Sequence, residues 1–390
     1  EPALRTHQES VAMLTIDTPL NMGLNPARWE QMLELVRGWT ASDEIPAAGM
    51  AVVRNGKSTG THLFGRQLCS ADSPPVREDA IFLIASITKP IVGMGVLLLL
   101  ERGLLVLDDR VKRFVPEFGN NGKHGVTIRH LLTHTSGLPD MLPNNTELRA
   151  AHAPLPAFVE ETCRQPLAFR PGRGVQYQSM GFCMLGEIIR RVTGMPCPQF
   201  LRDELFEPLG MYDTALGAPD EWFEGDSPTV ARIAESRIPE VQAETNWHWN
   251  TRYWRQLGAP WGGLLTTPAD LARFAQLMLQ DGRWGESMLF SSATVAAATR
   301  NQLAGMRHVP ELEQRTRPWG LGWRLHWPGD SRNFGDLLGP RNYGHWGATG
   351  TLLWIDSGWQ TAAIMLTTQP QEPRGEYLAR FSNAVAAALC

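Results

Sequence analysis

Ser86-Ile-Thr-Lys89-Pro-Ile-Val-Gly-Met-Gly-Val-Leu-Leu-Leu-Leu-Glu-Arg-Gly103 is the stretch on which the reading of this 390-residue chain turns. Nowhere else does a lysine follow a serine by three positions, and lysine is scarce: 32 of the 36 basic residues are arginine. A serine hydroxyl is a poor nucleophile until a neighbour takes its proton. On a helix, residues three apart share a face about 5–6 Å apart between Cβ atoms. The apolar run after Lys89, ended by Gly103, predicts a buried helix. Pro90 is tolerated only in a first turn, so Ser86 belongs near the helix start. There the positive end of the macrodipole disfavours a lysine cation and favours negative charge on the serine oxygen.

Around this pair the composition is that of a soluble globular protein large enough for one big or two medium domains: 43% hydrophobic, net charge −4, pI near 6.2. No basic run or stripe suits nucleic acid or an acidic membrane surface. The longest apolar run, near 91–100, is too short and glycine-interrupted to span a bilayer. Cys69, Cys163, Cys183, Cys197 and Cys390 are odd in number and scattered, so neither a disulfide framework nor a zinc site is expected. Free thiols lean towards the cytoplasm. The chain starts at Glu1 without a methionine, which leaves open a removed upstream segment and a periplasmic or secreted location.

Trp29, Met32, Leu33, Leu35, Val36 and Trp39 follow an Asn-Pro start at helical spacing. Ala47–Arg54 and Ser58–Leu68 read as strands joined by Asn55-Gly56, a hairpin signal. From 86 to about 300 the pattern is mostly helical, with helices over Thr127–Thr133 and Met180–Thr193 and another opened by Thr267-Pro-Ala-Asp270; no strand is expected there. Strand-like runs return at Trp319–Trp327, Asn342–His345, Thr351–Asp356 and Thr361–Thr368, before a closing helix near 376–388. The expected architecture is α+β. An antiparallel sheet domain comes from 1–85 and 305–390, flanked by N- and C-terminal helices, and a mainly helical domain is inserted over 86–304. The active site falls at the seam.

Further motifs stand in order along the chain: Leu107-Asp-Asp-Arg110, Thr127-Ile-Arg-His-Leu-Leu-Thr-His-Thr-Ser-Gly-Leu138, Phe169-Arg-Pro-Gly172, Tyr177-Gln-Ser179, Pro208-Leu-Gly-Met211, Gly262-Gly-Leu-Leu-Thr-Thr-Pro-Ala-Asp-Leu-Ala-Arg-Phe274 and Gly344-His-Trp-Gly347. Together with Ser86-x-x-Lys89 they resemble the serine β-lactamase-like family, which includes class C β-lactamases, DD-peptidases, penicillin-binding-protein-like enzymes and family VIII carboxylesterases. The resemblance covers most of the chain and implies the β-lactamase/transpeptidase-like fold. It also implies acyl-enzyme formation on Ser86 without metal or cofactor. Tyr177 fills the place of the family's second motif and is the implied general base, coupled to Lys89. A neighbouring ammonium would favour its phenolate, and which of the two holds the proton at rest is left open. Tyr343 is a rival base, two residues from His345 on one strand face.

The third motif of the resemblance is His345-Trp346-Gly347. Gly347 leaves room for substrate along the strand, and the backbone N–H groups of Ser86 and Ala348 form the implied oxyanion hole. His345 would donate a hydrogen bond or serve the tyrosine's proton circuit. His134 beside Ser136 invites a catalytic reading, but no G-x-S-x-G elbow accompanies it, and a packing role beneath the site is expected.

Two departures from the lactamase pattern bear on substrate. Ser179 replaces an asparagine that grips a substrate amide, while His345 and Trp346 replace the lysine and hydroxyl that hold a substrate carboxylate. Both point away from β-lactams and peptide C-termini, towards small or medium acyl esters. Trp247, Trp249, Tyr253, Trp254 and Trp261 crowd fifteen residues. Such a run cannot all face one interior side, so Trp249 and Trp254 are expected to line an apolar substrate pocket. The other readings are a peptidase or weak lactamase acting on D-amino-acid amides, and a binding protein that keeps the fold without the chemistry.

Overall fold

A computed structural model describes residues 14–372 and 375–390. Its main sheet is drawn from both ends of the chain. Strand Ala47–Arg54 pairs antiparallel with Thr361–Thr367, which pairs with Thr351–Asp356, then Asn342–Gly347, then the short Arg324–Leu325. Helices cover both faces, so the three central strands are buried almost end to end. Alternate residues still divide by face. Met50, Val52, Leu352, Trp354, Ala363 and Met365 join the core beneath helices Pro26–Ala41 and Glu376–Ala388. Ala51, Val53, Leu353, Ile355, Ala362 and Ile364 join the larger core on the other side, where helix Pro268–Leu279 packs on the sheet.

Local signals account for many boundaries. The Asn25 side chain accepts from Arg28 N at 3.1 Å, capping the first helix ahead of Pro26. Thr267 does the same for Asp270 N at 3.1 Å. Asn55 and Gly56 both have positive φ, as a tight hairpin requires. The run after this turn is interrupted, giving strands Lys57–Ser58 and His62–Gly65 on either side of Gly60. Of the expected Trp319–Trp327 strand only Arg324–Leu325 forms. The other late strands and the closing helix stand where the pattern put them.

The expectation of no strands between 86 and 300 is corrected. Leu264–Thr266 pairs antiparallel with both Phe82–Leu83 and Ala215–Leu216, forming a three-stranded sheet directly before the Ser86 segment. Pieces of two or three residues carry too little alternation to be read, yet their backbone bonds fix where the chain enters the Ser86 turn. Arg283–Trp284 and Ser287–Met288 form a further small hairpin.

Candidate active site

Ser86 lies in a 3₁₀ turn, Ala85–Ile87, that runs into helix Thr88–Glu101. From Ala80 to Leu99 it is the one residue that is not buried. The turn is held from two sides. Thr88 Oγ1 donates to Ala85 O at 2.6 Å and accepts from Leu264 N at 3.1 Å. From the turn between strands Asn342–Gly347 and Thr351–Asp356, Thr349 Oγ1 donates to Leu83 O at 2.7 Å, and from the second of these strands Thr351 Oγ1 donates to Ile84 O at 2.9 Å. Ala85 has φ +45°, a conformation an L-residue adopts only when its surroundings over-determine it.

Gly347 explains how sheet and turn come so close. A Cβ there would stand 2.3 Å from Ile84 O and 2.3 Å from Thr351 Oγ1. Its missing side chain makes room for the Ser86 turn, a different tenant from the substrate expected in that space. Beyond Gly347 the strand ends, and the exposed Ala348 borders the same cavity as Ser86.

Lys89 is wholly buried, its Nζ 2.9 Å from Ser86 Oγ and 2.9 Å from Trp261 O, to which it donates. Burial lowers its pKa to about 7, with the nearby Asp140 carboxylate opposing the shift. Tyr177 borders the same cavity as Ser86, close enough to be influenced by its hydroxyl. Burial raises the Tyr177 pKa well above the ordinary phenol value, and the Ser86 hydroxyl offsets this only in part. Lys89 Nζ lies 4.7 Å from the centre of the tyrosine ring, over its face. Both shifts run the same way and favour the uncharged pair, with the proton on Tyr177 and Lys89 as the neutral amine.

Tyr177 is braced from behind. Its ring stacks on His134 at 4.7 Å between centroids, and Trp319 meets His134 edge-on at 4.2 Å. His134 Nδ1 accepts from Gln178 N at 3.0 Å, and Gln178 Nε2 donates to the carbonyls of His130 and Leu131. His134 therefore packs beneath the site, and Gln178, which sequence gave no reason to single out, locks the tyrosine's backbone. Tyr343 is buried against Trp323 and Leu325 and does not border the cavity, so it is no rival base.

His345 is fully buried, its ring centre 5.9 Å from that of Tyr177. Nδ1–H donates to Trp346 O at 2.7 Å, which leaves a lone pair on Nε2; that atom has no partner among the described residues. Burial, reinforced by Lys89, lowers its pKa to about 3. His345 is thus neutral: the hydrogen bond it donates goes to the Trp346 carbonyl, and its spare nitrogen is an acceptor. Trp346 borders the cavity while its ring packs edge-to-face against Trp327 and Phe334.

The cavity in front of Ser86 has a volume of about 280 Å³. Its wall includes Tyr177, Ser179, Ala348, Trp249, Trp254 and Trp261. Tyr253 is turned away, stacked on His152 with its hydroxyl donating to Ala153 O. Ser179 Oγ donates to Asp140 Oδ1 at 2.7 Å, so this hydroxyl is spent on a carboxylate that also borders the cavity. Sequence reasoning passed over Asp140, although it follows the Ser136-Gly-Leu-Pro motif directly. Larger hollows elsewhere lie away from these groups. Among the described residues no group of three or more His, Cys, Asp or Glu side chains could hold a metal ion, and no helix is long and apolar enough to cross a membrane.

A family model described as Beta-lactamase matches residues 32–387. An Escherichia coli (strain K12) protein, provisionally named a D-alanyl-D-alanine carboxypeptidase, is 27% identical over 295 residues, 70% of this chain and 65% of that protein. Penicillin-binding protein 4 of Amycolatopsis lactamdurans is 29% identical over 355 residues, 89% of this chain and 86% of that one. Among solved structures, a family VIII carboxylesterase superposes with TM-score 0.73 at 20% identity, covering 94% of this chain and 99% of its own.

Proposed function

The chain belongs to the Beta-lactamase family, and from that membership and the site we propose that this serine hydrolase is a carboxylesterase acting on small to medium acyl esters through an acyl-enzyme on Ser86. One observation carries the reading: a buried lysine with a pKa of about 7, 2.9 Å from the only accessible side chain of the nucleophile segment.

In the proposed cycle neutral Lys89, in place of the Tyr177 base that the family resemblance implied, accepts the Ser86 proton as the oxygen attacks the ester carbonyl, because burial favours the neutral amine and the protonated phenol. The backbone N–H groups of Ser86 and Ala348 hold the developing oxyanion; donors of this kind lower a barrier by about 3–4 kcal/mol each. Tyr177, protonated and on the cavity wall with Ser86, relays a proton to the departing alkoxide as the C–O bond breaks, and recovers one from Lys89. Water then attacks the acyl carbonyl, giving a proton to Lys89; the acyl C–O bond to Ser86 breaks, Ser86 Oγ takes that proton back, and the acid leaves. His345, neutral and behind the tyrosine, positions its ring.

Three features support ester over amide or lactam. The hydroxyl of Ser179 is engaged by Asp140 and unavailable to a substrate amide. The third motif supplies neither a cation nor a hydroxyl, since His345 is neutral and residue 346 is tryptophan. An alkoxide also needs less protonation than an amine on leaving. The fold neighbour named as a carboxylesterase supports this choice, and the relative named as a carboxypeptidase supports the rival one. Side-by-side kcat/KM for a short 4-nitrophenyl ester, a chromogenic cephalosporin and a D-alanyl-D-alanine peptide decides between them. Turnover of the peptide or cephalosporin above that of the ester overturns the proposal.

A further inference from the structure

The cavity wall contains a second charge that the proposed cycle does not use. Arg149, in the short helix Asn145–Ala150, is only 6% exposed and borders the cavity together with Ser86. Its guanidinium carbon lies 4.3 Å from the ring centre of Trp254 and 5.4 Å from that of Trp247. Among the described residues its N–H groups donate to no acceptor, Nε is buried without a partner, and no carboxylate lies within ion-pair distance. Arg324, the other deeply buried arginine stacked on tryptophan, is different: it gives an N–H to Asp330 O at 3.1 Å.

A desolvated guanidinium needs a counter-charge or acceptors, and ring faces satisfy neither its planar N–H fork nor its hydration. Burial lowers its pKa to about 10, so it stays a cation at neutral pH. Asp140 shares the cavity without pairing with it and sits instead against Ser179, near Lys89. The cavity wall therefore carries both signs of charge, the Asp140 carboxylate and an unpaired guanidinium stacked on Trp254.

We infer that Arg149 receives a carboxylate carried by the substrate at a distance from the scissile carbonyl, so that the preferred esters are anionic. This rests on the esterase reading and specifies its substrate class. A fork of N–H groups matches the two oxygens of a carboxylate, and a guanidinium already stacked on Trp254 has little freedom left to lose. The carboxylate could belong to the acyl chain or to the alcohol.

Two pairs of esters separate these sources. Mono-4-nitrophenyl adipate and 4-nitrophenyl hexanoate differ only at the far end of the acyl chain; 3-carboxyphenyl hexanoate and phenyl hexanoate differ only in the leaving group. In the wild-type enzyme at least one carboxylate ester should exceed its neutral twin in kcat/KM. Arg149→Met should cut that ratio by about tenfold or more and Arg149→Lys by less, as expected for a charge-assisted contact to a substrate. The ratio within each variant cancels any loss of folded protein. Ratios that agree within about twofold between wild type and Arg149→Met, for both pairs, overturn the inference. If none of the four esters is hydrolysed, the esterase reading has failed, and protection of Ser86 from a fluorophosphonate probe by adipate decides the carboxylate site separately. Protection in wild type but not in Arg149→Met upholds it, and equal or absent protection in both overturns it.

Discussion

Lys89 Nζ and Ser86 Oγ stand 2.9 Å apart, and the lysine that makes this contact is sealed from solvent on the first turn of a buried helix. The contact can carry its hydrogen bond in either direction. The ammonium donates to the serine oxygen; the neutral amine accepts the serine proton while still donating to Trp261 O. Only the second form activates the nucleophile.

The acid limb of a kcat/KM–pH profile should therefore report Lys89. Activity rises with pH through about 7 as the lysine loses its proton. Asp140 favours the cation, so Asp140→Asn should move this limb to lower pH. A profile whose acid limb stays put in Asp140→Asn, or moves up, counts against this assignment.

Burial of Lys89 also links stability to pH. Its folded pKa of about 7 lies below the ordinary lysine value of 10.5, so between those limits the unfolded chain binds more protons and stability from this group rises with pH. Below pH 7 the folded protein carries the full burden of a buried cation. Lys89→Met removes that burden. Its thermal midpoint, measured against wild type, should gain most below pH 7, by the equivalent of a few kcal/mol, and the gain should fade towards pH 10. Ester turnover should fall by about a thousandfold or more in the same variant. An advantage that grows with rising pH would contradict the assigned shift.

Gly347→Ala should disable the enzyme from outside the reacting atoms. The new Cβ would press on Ile84 O and Thr351 Oγ1, each 2.3 Å away, and push the strand off the Ser86 turn. A misplacement of about 1 Å costs roughly a hundredfold in kcat. Wild-type turnover in this variant would show that the close approach does not position Ser86.

The tryptophan wall should set acyl-chain preference. Trp249→Ala and Trp254→Ala open the cavity beside Ser86, so the optimum across 4-nitrophenyl esters from acetate to decanoate should shift to longer chains. An unchanged optimum in both variants removes these rings from the pocket. Trp254→Ala also takes the stacking face from Arg149 and should weaken any preference for anionic esters.

Much of this arrangement was legible in the amino-acid order. Ser86, Lys89 and Tyr177 sit in motifs whose sequence along the chain is informative, and the long amphipathic helices and the late buried strands follow from periodicity. The three-stranded sheet before Ser86 was not legible, because Phe82–Leu83, Ala215–Leu216 and Leu264–Thr266 are too short to show a period. The resting proton was hidden for another reason: desolvation of Lys89 and Tyr177 depends on residues distant in the chain. Arg149 gave no signal at all. It is one arginine among 32, and its isolation from acceptors arises only when helix Asn145–Ala150 packs on the tryptophans a hundred residues later. Gly347 was legible as a glycine required by the motif, while what fills its space was not.

The most direct measurement is a trapped acyl-enzyme. Mixing the protein with a short 4-nitrophenyl ester, quenching in acid within the first turnover and mapping the modified peptide by mass spectrometry should place one acyl group on Ser86. Ser86→Ala should show neither the adduct nor a nitrophenol burst. An adduct on another residue, or a burst that survives in Ser86→Ala, would contradict the assignment of Ser86 as the nucleophile.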